Sequence, residues 1–275
     1  MRYSIVLSYA GAGFCGWQRQ PSDPSVQECL EDALGKLLGG EVPVIGAGRT
    51  DTDVNAIGYV ACFDGPEGLA ADDFCYKLNA ILPRSVVVSR VAPAAPDFHP
   101  RFDAVRREYT YFLHRCKDPF VEAFSWQCGY PLLDFEAMNS AAAALLGTHD
   151  FSCFEKKGGD NKTSVCTVFE AYWAQYTPSL YAVMTPEQGS LPASGGQYWY
   201  FRISADRFLR NMVRAIVGTL IEVGRGKRSP DDFAGLILPP EQGIPASGDS
   251  ASANLRSLAG ESVPGHALFL SKVEY

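Results

Sequence analysis

An arginine and an aspartate two residues apart, set in a glycine-rich loop, are the first residues that could do chemistry. Residues 46–56 read Gly46-Ala47-Gly48-Arg49-Thr50-Asp51-Thr52-Asp53-Val54-Asn55-Ala56, between two strand-like runs. Glycines let the backbone turn tightly, so Arg49 and Asp51 can project from the loop as a cation and a carboxylate. A plain turn would use the same glycine spacing. The stretch is no dinucleotide-binding fingerprint, because the third glycine and the helix after it are missing.

A second group lies downstream. From Phe201 to Arg228 there are seven cationic side chains (Arg202, Arg207, Arg210, Arg214, Arg225, Lys227, Arg228) against Asp206 and Glu222, a local excess of +5. Such a run is either a solvated helix face or a surface for phosphates. Tyr109 and Tyr111 share one face of a strand, and Tyr111 reads as a core aromatic.

The totals narrow the classes. The 275 residues carry a net charge of −7, so any nucleic-acid surface must be local rather than global. Apolar residues make up 47%, enough for a sizeable core, and the length suits two compact domains. The eight cysteines include no C-x-x-C pair, and the four histidines are far apart. Free buried thiols are therefore expected, with no metal site. The most apolar stretch, Phe208 to Val223, is broken by Arg210 and Arg214, so no membrane span is expected. Met1 to Tyr9 alternates like a strand rather than a leader, which points to a cytoplasmic protein.

The elements that must position these residues follow from periodicity. Tyr3 to Tyr9 reads as a strand, then a turn through Gly11, Gly13 and Gly16. Ser25-Val26-Gln27-Glu28 reads as a capping box opening a helix that buries Val26, Cys29, Leu30, Ala33, Leu34 and Leu37 and ends at Gly39-Gly40. Strands are expected at Val42 to Gly46, Ile57 to Phe63 and Val86 to Val91, with a helix from Asp72 to Ile81 stopped by Pro83. A similar order recurs: strand Glu108 to Leu113, helix Asp134 to Leu146, strands Val165 to Tyr176 and Trp199 to Ser204, then a long helix Phe208 to Val223. Ser229-Pro230-Asp231-Asp232 starts a further helix, Pro239 to Ser262 reads as a loop, and Leu268 to Tyr275 as a strand. The expected class is α+β, in two ferredoxin-like or RNP-like halves with mostly antiparallel sheets flanked by helices. Residues 1–104 would carry the Asp loop, and 105–275 the Tyr strand and the Arg helix.

The loop, together with Gly16-Trp17-Gln18-Arg19-Gln20-Pro21, resembles the TruA family of tRNA pseudouridine synthases. The likeness continues through Asn79-Ala80-Ile81-Leu82-Pro83, Phe98-His99-Pro100-Arg101-Phe102-Asp103-Ala104 and Arg106-Arg107-Glu108-Tyr109-Thr110-Tyr111. It resumes at Asp150-Phe151-Ser152-Cys153-Phe154, at Phe208 to Gly218, and at Pro264-Gly265-His266-Ala267-Leu268-Phe269-Leu270, in the family's order. The resemblance implies the pseudouridine synthase fold and an isomerase acting on uridines of the tRNA anticodon stem-loop, positions 38–40.

It further implies roles for named residues. Asp51 matches the catalytic aspartate, acting as base or nucleophile. Arg214 matches the cation that keeps that carboxylate ionised where burial would neutralise it. Its place between Val213 and Ile216 favours a buried, paired arginine over a helix-surface ion pair. Tyr109 matches the tyrosine that stacks on the target base, with Leu209 and Met212 walling the pocket. Arg49 matches the residue that fills the space a flipped nucleotide leaves. Arg225, Lys227 and Arg228 are expected to meet tRNA phosphates. The resemblance also implies a homodimer and no cofactor, since the bond exchanged lies within one nucleotide. Two alternatives remain: a diverged synthase acting on another RNA, and an inactive RNA-binding or folding factor.

The loop departs from the family pattern at three positions. Thr52 and Asp53 stand where Ala and Gly are usual, and Asn55 where His is usual. Asp tolerates positive φ better than most residues, and Asn keeps a hydrogen-bonding side chain. Asp53 pointing inward would help Asp51 to protonate.

Overall fold

A computed structural model of the chain describes residues 1–156, 158, 162–184, 197–240 and 255–275. The expected loop Pro239 to Ser262 falls outside the described residues for 241–254. The chain divides into two compact units, one of residues 1–108 with 269–275, the other of residues 109–268.

The first unit contains β1 (Arg2–Tyr9), α1 (Val26–Leu38), β2 (Val44–Gly46), β3 (Asn55–Asp64), α2 (Ala71–Ile81) and β4 (Val86–Pro93). Strand β5 (Arg106–His114) begins in this unit and continues in the next. Strand β1 alternates half-buried and buried positions along its whole length, as a strand with one face in a core must. It pairs antiparallel with both β3 and β4.

The Ser25 hydroxyl caps α1 by accepting the Glu28 N–H, and Gly39 ends the helix in the left-handed region. Only that half of the expected capping box forms, because the Glu28 carboxylate lies 3.6 Å from Arg19 instead. Pro43, which has no N–H to give a ladder, delays β2 to Val44. The core of the unit includes Ile5, Leu7, Leu30, Leu34, Tyr59, Phe63 and Leu78.

The second unit adds β6 (Trp126–Gln127), α3 (Phe135–Ala143), β7 (Gly147–Asp150), β8 (Val165–Gln175), α4 (Ser179–Val183), β9 (Tyr198–Ala205), α5 (Met212–Gly224) and α6 (Pro230–Ala234). Its strands run in the order β5-β9-β8-β7, with β8 antiparallel to both neighbours. Asp134 caps α3, and Ser229 with Asp232 forms a complete capping box on α6, with Pro230 in its first turn.

The remaining strand, β10 (Leu268–Glu274), enters the first unit and pairs parallel with β3, Phe269 opposite Asn55 and Leu270 opposite Ala56. The class is therefore α+β as expected, with this parallel pairing an addition that alternation did not signal. The long helix also begins four residues later than expected. Asn211 takes a left-handed conformation (φ 63°) and starts α5 at Met212, so Phe208 to Arg210 stay outside it.

Candidate active site

The loop carrying Arg49 and Asp51 joins β2 to β3, and main-chain hydrogen bonds attach it to the turn after β1. Trp17 donates its N–H to the Thr50 carbonyl (3.2 Å), and Asp53 donates to Phe14 (3.3 Å). Within the loop, Val54 N–H reaches the Asp51 carbonyl at 3.2 Å. Glycine makes this approach possible: a Cβ on Gly16 would overlap the Thr50 carbonyl oxygen, and one on Gly11 the carbonyls of Asp53 and Val54.

Side chains complete the attachment. The Tyr9 hydroxyl meets Thr50 Oγ1 at 2.9 Å, and the Tyr59 hydroxyl donates to the Gly48 carbonyl. Trp17 stacks on Tyr59 at 4.1 Å, against a face that only glycine at 46 leaves open. Asn55, itself 2% exposed, accepts the Gly11 N–H at 2.8 Å, so the residue replacing the usual histidine still bonds. Asp53 takes the positive φ (64°) of the position where glycine is usual. With Thr50 facing inward and buried, Arg49 is exposed and Asp51 half-buried on the loop's outer side. Arg107 braces the loop's start, donating to the Ala47 carbonyl at 3.2 Å.

In the second unit, Tyr109 is half-buried and meets Phe208 edge-on at 5.0 Å. Tyr111 is fully buried, edge-on to Trp126, with no hydrogen-bond partner for its hydroxyl among the described residues. Burial pushes its pKa well above the ordinary tyrosine value, and the Arg214 charge offsets part of that rise. Tyr111 is therefore the core aromatic of the pair. Leu209 and Met212 are buried beside the start of α5.

Arg214 sits in the first turn of α5, half-buried, and its Nε donates to the Val263 carbonyl at 2.7 Å. The segment around Val263 crosses the helix closely. A Cβ on Gly218 would overlap the Glu261 carbonyl, and Gly260 N–H reaches Thr219 Oγ1 at 2.9 Å. Asn211 and Arg256 both hold Ser262.

The cations of the basic stretch differ in their contacts. Arg225 lies over the Tyr130 ring at 3.6 Å, and Arg228 bonds Glu222 at 3.0 Å and the Leu258 carbonyl. Lys227 is exposed. Residue types alone did not reveal the supports Tyr9, Trp17, Tyr59, Arg107 and Val263. The glycines at 11 and 16 were the available signal for the first of these.

Among the described residues, no group of three or more His, Cys, Asp or Glu could hold a metal ion, and all eight cysteines are free. No described helix is long and apolar enough to cross a membrane.

A two-part α+β chain with an Arg-Thr-Asp loop tied down by glycine turns is an arrangement found on a known scaffold. The chain belongs to the tRNA pseudouridine synthase family, whose model matches residues 5–103 and 141–275. Asp51, Arg49 and Arg214 fall inside those ranges, and Tyr109 falls between them. Relatives named tRNA pseudouridine synthase A cover the whole chain. The Bacteroides fragilis protein is 44% identical over 278 residues, spanning 100% of this chain and 96% of its own length. Those of Porphyromonas gingivalis and Bacillus subtilis are 42% and 35% identical, again over 100% of this chain and 97% and 99% of theirs.

Proposed function

We propose that this protein isomerises uridine to pseudouridine in the anticodon stem-loop of tRNA, at positions 38–40. The observation that carries the reading is the family match across nearly the whole chain, joined to a loop that fixes Asp51 by its neighbours' main-chain atoms. A reacting carboxylate must be held in place, and tethers at Thr50, Asp53 and Asn55 fix the chain on both sides of Asp51.

In the reaction the bond from uracil N1 to the sugar breaks, the base turns over, and a bond from C5 to the same sugar carbon forms. The C5 proton leaves and N1 gains one, so the composition of the nucleotide is unchanged and no redox partner or cofactor is consumed. Asp51 supplies the base or nucleophile, and Arg214 the cation that favours its ionised form. Tyr109, with Leu209 and Met212, receives the base, and Arg49 fills the gap it leaves in the helix. Arg225, Lys227 and Arg228 meet phosphates, so affinity should weaken as salt rises. In this reading residues 1–104 bring the Asp loop and 105–275 the Tyr strand and Arg helix, in a homodimer acting in the cytoplasm.

The test is nucleoside chromatography on tRNA incubated with purified protein, resolving the equal-mass isomers by retention, with carbodiimide labelling and primer extension on the same tRNA to locate the pseudouridine. Pseudouridine should appear at positions 38–40 with the wild type and not with Asp51→Ala. Its absence with the wild type overturns the reading.

A further inference from the structure

Among the motifs still without a role is the turn Phe98-His99-Pro100-Arg101-Phe102-Asp103-Ala104. Its Phe102 is 74% exposed. Exposure alone does not distinguish it, since Tyr76 and Phe120 are equally open. The difference lies in how firmly the ring is held. His99 Nδ1 accepts the N–H groups of both Arg101 (3.2 Å) and Phe102 (3.3 Å), and Asp103 accepts the His99 N–H at 2.9 Å. The His99 carbonyl accepts from Phe102 and Asp103 on the other side of the turn. The imidazole then lies against the Phe102 ring at 4.2 Å, with the Arg101 guanidinium 5.7 Å from the ring centre.

This turn is tied to the loop that carries Asp51. One nitrogen of Arg107, Nη2, donates both to the Arg101 carbonyl (2.6 Å) and to the Ala47 carbonyl (3.2 Å). A single atom therefore holds the two segments together, four residues from Asp51. Tyr275 secures the turn again through the Pro100 carbonyl at 3.0 Å.

A flat ring fixed in place, open to solvent and flanked by a cation, suits an unstacked base better than an apolar protein partner. The base finds a π face and the adjoining phosphate finds Arg101. We propose that His99, Arg101 and Phe102 form a stacking platform for a base of the RNA substrate, beside the catalytic loop. The platform rests on the tRNA reading above and adds a contact which that reading does not contain.

The test measures binding of labelled tRNA by the full-length protein across a salt series, for wild type, Phe102→Ala, Phe102→Leu and Phe102→Trp. Loss of one base–aromatic stack should raise Kd roughly tenfold in both the Ala and Leu variants, while Trp stays within about twofold. The slope of log Kd against log salt should match wild type in all three, because no charge is removed. Arg101→Ala should reduce that slope. Alanine or leucine variants that bind like wild type overturn the platform. So does a Phe102→Ala protein that changes oligomeric state with unchanged RNA affinity, which would make the ring a protein contact. If wild type forms pseudouridine while Phe102→Ala binds normally, only the platform falls. A wild type that does not bind tRNA overturns both proposals.

Discussion

The Asp51 loop and the start of α5 are secured by different means. The loop is tied to the turn after β1 by main-chain atoms, through Trp17 to Thr50 and Asp53 to Phe14, as well as by side chains. The first turns of α5 depend more on side chains: Arg214 on Val263, Asn211 on Ser262 and Thr219 on Gly260. Backbone tethers do not depend on residue identity, provided that glycine keeps the approach open. That is why Thr52 and Asp53 can depart from the usual pattern while the loop keeps its form; Asn55 departs from it but keeps a side-chain bond, to the Gly11 N–H. Side-chain tethers carry no such freedom.

Substitutions at five positions test this contrast, the first with the largest effect. Asp51→Asn should remove activity by at least about 10³-fold with tRNA affinity within about threefold, since in the proposed reading the carboxylate serves chemistry rather than phosphate contacts. Single-turnover assays with parallel binding measurements decide it. Comparable losses of rate and affinity would point to a binding role.

Arg214→Met should cost about 10²-fold in single-turnover rate, and about 1–2 kcal/mol of stability for the lost bond to Val263. Arg214→Lys should recover part of the rate by restoring charge without the planar fork. A methionine variant as fast as wild type would make Arg214 a structural tether alone.

Gly16→Ala and Gly13→Ala form a matched pair. Both glycines have positive φ, 91° and 86°, but only Gly16 faces a carbonyl, whereas Gly13 meets nothing within 4 Å. Gly13→Ala should cost about 1 kcal/mol and spare activity, and Gly16→Ala roughly 3 kcal/mol with a marked loss of rate. Denaturant melts should separate them. Equal costs would mean that the close approach at Thr50 contributes nothing.

Asp53→Gly should change least, keeping or slightly raising activity and shifting stability by less than about 1 kcal/mol, because glycine also accepts φ 64°. A dead Asp53→Gly beside an active Asp51→Asn would reverse the assignment of the two carboxylates.

Much of this was legible because it is local. The 3.6-residue spacing of Val26, Leu30, Ala33 and Leu34 marks α1, and Gly39 its end. The glycines around Arg49 and Asp51 mark a constrained loop. The loop's supports were not legible, because Tyr9, Trp17 and Tyr59 read as ordinary core aromatics until the chain is folded. The start of α5 was misplaced because Phe208 to Arg210 suit a helix by type, and only the left-handed Asn211 excludes them. A count of cations likewise says nothing of their partners, such as Glu222 for Arg228 or the Tyr130 ring for Arg225.

The parallel pairing of β10 with β3 has a consequence for synthesis. Phe269 pairs with Asn55, more than 200 positions earlier in the sequence, so the last strand of the first unit is made long after the others. At roughly 5–20 residues per second, a ribosome takes on the order of 10–40 s to supply it. During that interval the β3 edge at Asn55 and Ala56 has no β10 partner, and an unpaired edge is a place where nascent chains mispair. The flank of the Asp51 loop is thus among the last parts of its unit to be completed, although its residues are among the first to emerge.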